Sequence, residues 1–450
     1  MPDQAYSLMN DVFARYLKVL EETERMPLPR LAQYQEELLG ALVLHAREHT
    51  SFYPGRLSCL VDSNGEIDFS RWNDVPILYR EDVAAHGRDM RASQVPPAFG
   101  GIGEIRTSGS TGHPLEIAIN RLVLVSSNAM LTRMVNWFGL DPSRPMAMIR
   151  RAEDDPVPPY PDGATRKGWS YADREAPLYI LELKTPVEQQ IEWLARNKAP
   201  YLLTPASGAL GIAHAVTPES GRALGIEMVM SIGETIPDGT REFIAERLGA
   251  RFAAMYSCQE VGAIACECEI APHYHVAAEN VLVEIVDDQG RDVRHGERGQ
   301  VVVTSFYNYA MPFIRYAIGD VAVAGARQCP CGRSLPVIER ILGRTRNAFV
   351  FRDGSRIWPR GSMVRPMREF VPFCRYQLVQ LDYERIEFRY KSDGSGRKPN
   401  IAALNDYARR VLHPSVELSV VEVDRLPPGP GEKLEEFVSK IAGSTVPGIG

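Results

Sequence analysis

Between residues 176 and 256 the chain alternates two kinds of run, and this alternation restricts the folds open to it. PLYILEL, YLLTP, IEMVMSIGE and ARFAAMYS are short, apolar and strand-like, while PVEQQIEWLARNK and PDGTREFIAERLG carry apolar residues at helical spacing. Apolar strands joined by helical crossovers make a parallel sheet, so an α/β class built of βαβ layers is predicted. Ligands on such sheets bind where strands end and loops begin, which marks SIGE at 231–234 and MYSCQE at 255–260 as binding loops.

The chain has 450 residues, beyond the size at which one hydrophobic core stops growing, so a second unit is expected. Residues 6–25 and 31–49 read as amphipathic helices; in the second, Leu31, Tyr34, Leu38, Leu39 and Leu42 share a face. A polar, proline-rich stretch at 140–175 reads as a long exposed loop. After 275 the strand-like runs lengthen (NVLVEIVDD, RGQVVVTSFYN, MPFIRYAIGDVAVAG) with glycine-rich turns between them, which predicts a β-rich subdomain over about 275–342. Residues 343–450 then read strand, strand, helix, strand, a small α+β C-terminal domain set apart from a large N-terminal domain of residues 1–342.

A net charge of −6 and the lack of a polybasic run argue against a protein that grips nucleic acid through a basic surface. The first residues lack the basic and apolar regions of a signal peptide, and no apolar run approaches the ~20 residues of a membrane span. A cytoplasmic protein with neither nucleic acid nor membrane as partner is the expectation.

Residues 107–114 read TSGSTGHP. Gly109 and Gly112 let backbone N–H groups approach phosphate oxygens closely, and Thr107, Ser108, Ser110 and Thr111 add hydroxyl donors. The run does not fit GxxxxGK[ST], because His113 and Pro114 stand where Lys and Ser or Thr belong, nor does it fit GxGxxG, so a P-loop nucleotide hydrolase is disfavoured. Alone, it is either a phosphate-gripping loop or an ordinary Ser/Gly turn.

Five segments in order, TSGSTGHP, SIGE, YSCQEVG, IRYAIGD and LGRTR, followed by a late Lys, resemble the adenylate-forming superfamily and, within it, the phenylacetate–coenzyme A ligase family. The resemblance implies ATP-dependent activation of a carboxylic acid, aromatic or arylacetic, to an acyl-AMP with release of pyrophosphate, then acyl transfer to a thiol, most simply coenzyme A. It implies that Thr107 to Gly112 wraps the β- and γ-phosphates, and that Glu260 helps hold Mg²⁺, a hard cation suited to carboxylate oxygen. Ser231, Gly233 and Glu234 would accommodate adenine, Tyr256 would lie against adenine or the acyl pocket, Asp320 would take both ribose hydroxyls, and Arg344 would reach the nucleotide from the hinge. Lys433 would bridge carboxylate and α-phosphate oxygens, a task suited to a compact ammonium. The small domain rotates between half-reactions in the superfamily, so a mobile one is expected here.

The chain departs from the family pattern in two places: Arg346-Asn347 stands where the hinge usually continues with an acidic residue, and Glu432 precedes Lys433 where Gly is common. Leu115 follows Pro114, where loops outside this branch often carry Lys. The two departures keep open a catalytically degenerate nucleotide- or zinc-binding interaction protein, and nothing in the sequence separates coenzyme A from a carrier protein or an amine as the acyl acceptor. A homodimer is compatible with any of them.

Seven cysteines, unevenly grouped, do not make a disulfide framework. Cys268, His275, Cys329 and Cys331 form a Cys₃His set of the kind that binds structural Zn²⁺, with His273 and Cys266 as spare ligands and free thiols as the alternative. Cys258, inside YSCQE, has no activating His nearby in sequence and reads as a packing residue. Met134, Trp137 and Phe138 read as either an acyl pocket or plain core.

Overall fold

The computed structural model describes residues 2–62, 64–107, 115–151, 156–170, 173–326, 328–426 and 436–441. Twelve described strands form one sheet, in the order Val281–Val286, Arg298–Ser305, Tyr316–Ala324, Val337–Arg344, Tyr274–Val276, Gly262–Glu267, Arg251–Cys258, Met228–Ile232, Tyr201–Leu203, Met146–Arg150, Pro177–Glu182, Ala164–Lys167. From Arg251–Cys258 to Pro177–Glu182 the neighbours run parallel. The first four residues of Met228–Ile232 are all buried, as a strand covered on both faces requires.

The crossover helices follow from their sequences. Val187–Asn197 turns Gln190, Trp193 and Leu194 inward and stops at Lys198, whose φ of 51° is left-handed. Thr240–Leu248 is bracketed by Gly239 and Gly249, at φ 78° and 70°, where a Cβ would be strained. At the N-terminal end, Leu28–His49 buries Leu31, Leu39, Leu42, Val43 and Ala46 along one stripe, with a Pro in its first turn and Arg47 and His49 in its last.

One expectation needs correction. The stretch 140–175 is not simply a loop: Met146–Arg150 is an inner strand between Pro177–Glu182 and Tyr201–Leu203, and Ala164–Lys167 is the sheet's edge. That edge strand is short and largely exposed, with Arg166 and Lys167 in it, so its composition imitates a loop while it blunts the edge. The β-rich part after 275 continues the main sheet: the antiparallel pair Arg251–Cys258 and Gly262–Glu267 carries the ladder from the parallel half into it.

The C-terminal unit has its own four-stranded sheet, Glu417–Glu422, Arg385–Ser392, Phe373–Gln380, Phe437–Ser439. Its core includes Phe349, Phe373, Phe388, Leu404 and Leu412. The helix Ile401–Val411 starts where the Asn400 side chain accepts the Ala403 N–H. Asn405 donates to the Leu418 carbonyl at 2.9 Å and accepts the Leu418 N–H at 2.6 Å, which locks helix to sheet. The expected strand, strand, helix, strand order is present, with the short parallel strand Phe437–Ser439 added after it. No described helix is long and apolar enough to cross a membrane.

Candidate functional site

Residues 107–115 lie between two antiparallel strands, Ile102–Arg106 and Glu116–Asn120. Thr107 ties the ends of the connection together: its N–H donates to the Leu115 carbonyl at 3.0 Å, and its hydroxyl accepts the Leu115 N–H at 2.9 Å. Ser108, Gly109, Ser110, Thr111 and Gly112 lie outside the described residues, as does Lys433.

Glu260 sits in the turn between Arg251–Cys258 and Gly262–Glu267, where Gly262 at φ 80° leaves no room for a side chain against Ser127. Its carboxylate is half-buried and faces two groups. The Tyr316 hydroxyl donates to it at 3.3 Å, and an Arg80 nitrogen lies 3.5 Å away. A second Arg80 nitrogen donates to the Thr107 hydroxyl at 3.2 Å, so Arg80 joins the base of the hairpin loop to Glu260. Burial and the nearby Glu260 charge push the Tyr316 phenol up, which keeps it a hydrogen-bond donor.

Asp320, Tyr256 and Arg344 converge from three strands. The Tyr256 hydroxyl donates to Asp320 Oδ2 at 2.7 Å, and Arg344 Nε pairs with Asp320 Oδ1 at 3.0 Å. Arg344 also donates to the Ile318 carbonyl at 2.8 Å. Burial, then the Asp320 charge, push the Tyr256 phenol far up, and Asp320 in turn holds the Arg344 guanidinium protonated. Each Asp320 oxygen retains lone-pair capacity for a further donor. Asp320, Tyr256 and Arg344 border a 400 Å³ cavity together with Gly233 and Glu234.

Gly233, at φ 75°, starts the turn after Met228–Ile232, and Glu234 is fixed there by the Ser207 N–H at 2.8 Å and hydroxyl at 3.0 Å. Ser231 stands apart from these two. It lies inside the strand, fully buried, with a hydroxyl that has no partner among the described residues, so the loop proper starts at Gly233. Met134 and Phe138 are buried in a core cluster, and Trp137 is clamped between Arg133 and Arg333, which places the three in core packing.

A larger cavity of 960 Å³ separates the core from the small domain and is lined by Gly233, Glu234, Arg344, Arg346, Tyr376 and Glu436 among others. Tyr376 donates to Glu436 at 2.9 Å, and Arg365 donates to the Asp238 carbonyl at 3.3 Å. Burial pushes the Glu436 carboxyl up to about 7; the Tyr376 hydrogen bond opposes this and the Glu234 charge adds to it. Volumes of this order suit a cofactor-sized ligand.

The cysteine-histidine set also assembles. The ligand atoms of Cys268, His275, Cys329 and Cys331 all lie within 4.8 Å of one another. Cys268 Sγ is 3.8 Å from Cys329 Sγ, the edge of about 3.8 Å that a tetrahedron with Zn–S bonds of ~2.3 Å would have. His275 presents Nε2 to Cys331 Sγ at 3.2 Å while its Nδ1 faces the Leu335 carbonyl, the orientation that second-shell bonding gives a metal-binding imidazole. The N–H groups of Cys331 and Arg333 point at Cys329 and Cys331 sulfur, at 3.5 and 3.4 Å. Of the spare ligands, Cys266 bonds away to the Met130 carbonyl, and His273 contacts Cys329 Sγ at 3.1 Å from outside the four.

Arg80, Tyr316 as a Glu260 donor, and the Tyr376–Glu436 pair are absent from the sequence-derived set. Arg80 is 180 residues from Glu260, and no local pattern announces such a pairing.

No family model matches the chain. A phenylacetate-coenzyme A ligase of Thermus thermophilus is 25% identical over 374 residues, 80% of each chain. A solved 2-hydroxyisobutyryl-CoA ligase in the postadenylation state superposes with a TM-score of 0.69 at 18% identity, over 93% of this chain and 92% of that one. An anthranilate CoA ligase in complex with anthranoyl-AMP superposes with a TM-score of 0.54 at 14% identity, over 74% and 65%.

Proposed function

We infer that this chain, a member of the adenylate-forming superfamily in its phenylacetate–coenzyme A ligase-like branch, activates a carboxylic acid with ATP and passes the acyl group from AMP to coenzyme A. The observation that carries this reading is the convergence of Tyr256, Asp320 and Arg344 on one cavity beside Gly233 and Glu234. A buried carboxylate with both oxygens oriented by fixed donors is preorganised to accept the two ribose hydroxyls. The adenine would lie along Gly233–Glu234, where exposed backbone and an absent Cβ allow a planar ring close approach.

The other roles follow from position. The hairpin loop from Thr107 to Gly112 would hold the β- and γ-phosphates, and Glu260 would supply carboxylate oxygen to Mg²⁺. When bound, Mg²⁺ neutralises charge on the phosphates as pyrophosphate leaves. Lys433, carried by the small domain, would offset charge on the carboxylate and α-phosphate oxygens. The small domain would turn about the segment after Arg344 to exchange the adenylation face for the thioester-forming one. An aromatic or arylacetic acid is favoured by the Thermus thermophilus relative's phenylacetate. Cys268, His275, Cys329 and Cys331 would hold Zn²⁺ as a structural tie between the turn at 268–275 and the one at 329–331.

The test is acid-dependent exchange of labelled pyrophosphate into ATP across aromatic, arylacetic and fatty acids, followed by thioester detection with coenzyme A. Exchange with an aromatic acid and a coenzyme A thioester product is expected. A chain that exchanges with none of them is not an adenylating enzyme, and one that exchanges without forming the thioester uses another acceptor.

A further inference from the structure

Arg80 reaches the phosphate end of the cleft from a segment that none of the recognised motifs includes, and the chain fixes it there with unusual thoroughness. Leu78 forms a bridge to the start of Tyr316–Ala324: its N–H donates to the Arg315 carbonyl at 2.8 Å and its carbonyl accepts the Ala317 N–H at 2.9 Å. Arg315 adds side-chain bonds to the same segment. Its guanidinium donates to the carbonyls of Asn73, Val75 and Gly290 at 3.0, 2.8 and 2.8 Å and pairs with Glu284 at 2.9 Å. Arg315 is 1% exposed and holds a φ of 49°, a left-handed conformation uncommon for a bulky residue. The Tyr79 N–H, next to Arg80, donates to Asp82 at 2.9 Å.

The result is a guanidinium held at the same depth as Thr107 and Glu260, 3.2 Å from one and 3.5 Å from the other, with part of its surface open. A phosphate bound beside Thr107 and Glu260 would lie within reach of it. The loop itself carries no Lys: His113, Pro114 and Leu115 occupy the places where one would stand. We infer that Arg80 binds the terminal phosphates of ATP and the departing pyrophosphate, and so supplies from outside the loop the positive charge the loop lacks. The planar fork suits phosphate oxygens, and the contact with Glu260 at 3.5 Å is long enough to exchange for a phosphate, which frees the carboxylate for a cation. This assignment rests on the adenylation reading above.

The experiment compares full-length wild type with Arg80→Ala and Arg80→Lys in pyrophosphate–ATP exchange, and measures calorimetric binding of an acyl-sulfamoyl adenosine, which has no β- or γ-phosphate. Loss of a hydrogen bond to a charged group predicts KM values for ATP and pyrophosphate raised roughly 10- to 100-fold in Arg80→Ala, partly restored by Lys. KM for the acid and affinity for the sulfamoyl compound should stay within about twofold of wild type, which a merely structural brace would not allow. Should the alanine chain fail to fold, Arg80→Gln, which keeps a donor for Thr107 without the charge, carries the same comparison. Unchanged KM values for ATP and pyrophosphate overturn the assignment, as does an equal loss of affinity for the sulfamoyl compound. A wild type that exchanges with no acid overturns the adenylation reading itself, a result distinct from either.

Discussion

Replacing Glu436 by Gln tests how the small domain is held against the core. The carboxyl accepts from Tyr376 and lies near Glu234, with Arg368 and Asp238 beside Tyr376, and burial raises it to about 7 from an ordinary 4.5. At about 1.4 kcal/mol per tenfold, that difference corresponds to about 3 kcal/mol, and partial solvent contact reduces it to about 2 kcal/mol. The sign follows from the direction. A carboxyl raised in the docked arrangement and ordinary in the undocked one favours docking while it is protonated; the contribution is complete below pH 4.5 and fades as pH rises to about 7. Between those limits the ratio of docked to undocked wild type should fall roughly 30-fold, the equivalent of about 2 kcal/mol. Glu436→Gln keeps an acceptor for Tyr376 and carries no charge to repel Glu234, so its ratio should be flat with pH. Small-angle scattering and proteolysis at residues 345–348 from pH 5 to 8.5 report docking directly. Parallel pH curves for the two proteins, or docking that tightens as pH rises, would refute the reasoning.

Three further outcomes are expected. Asp320→Asn should raise KM for ATP about 10- to 100-fold in the exchange assay with a smaller effect on KM for the acid, because it removes the charged acceptor proposed to take the ribose hydroxyls. Lys433→Ala should cripple pyrophosphate exchange while equilibrium binding of ATP is kept; an unaffected exchange rate removes Lys433 from the first half-reaction. Purified wild type should hold about one Zn²⁺ per chain by elemental analysis, and Cys329→Ser with Cys331→Ser should lose it and melt at a lower temperature.

Much of the candidate site could be read from sequence because its motifs are local. Thr107 and Leu115 close the ends of a strand pair, SIGE ends in a turn at Gly233, and YSCQE and IRYAIGD border the same cleft. The proximity of Cys268, His275, Cys329 and Cys331 was legible for a different reason: thiol and imidazole groups in short, paired spacings have few other uses. What failed was of two kinds. Polar edge structure such as Ala164–Lys167 carries no apolar alternation, so a strand passed for a loop. Long-range pairs such as Arg80 with Glu260, or Tyr376 with Glu436, depend on tertiary placement that no window of sequence contains.

Arg315 also sets an order of events during synthesis. Its bond to the Val75 carbonyl spans 240 residues, so at about 5–20 residues per second the segment bearing Arg80 waits roughly 12–50 s on the ribosome for its anchor. Until then residues 73–80 have neither the guanidinium nor the strand edge at Leu78 to close upon. A nascent or truncated chain that stops before residue 315 should therefore contain all of residues 107–114 and still lack the proposed nucleotide site, and it would expose the apolar surface that Tyr316–Ala324 later covers.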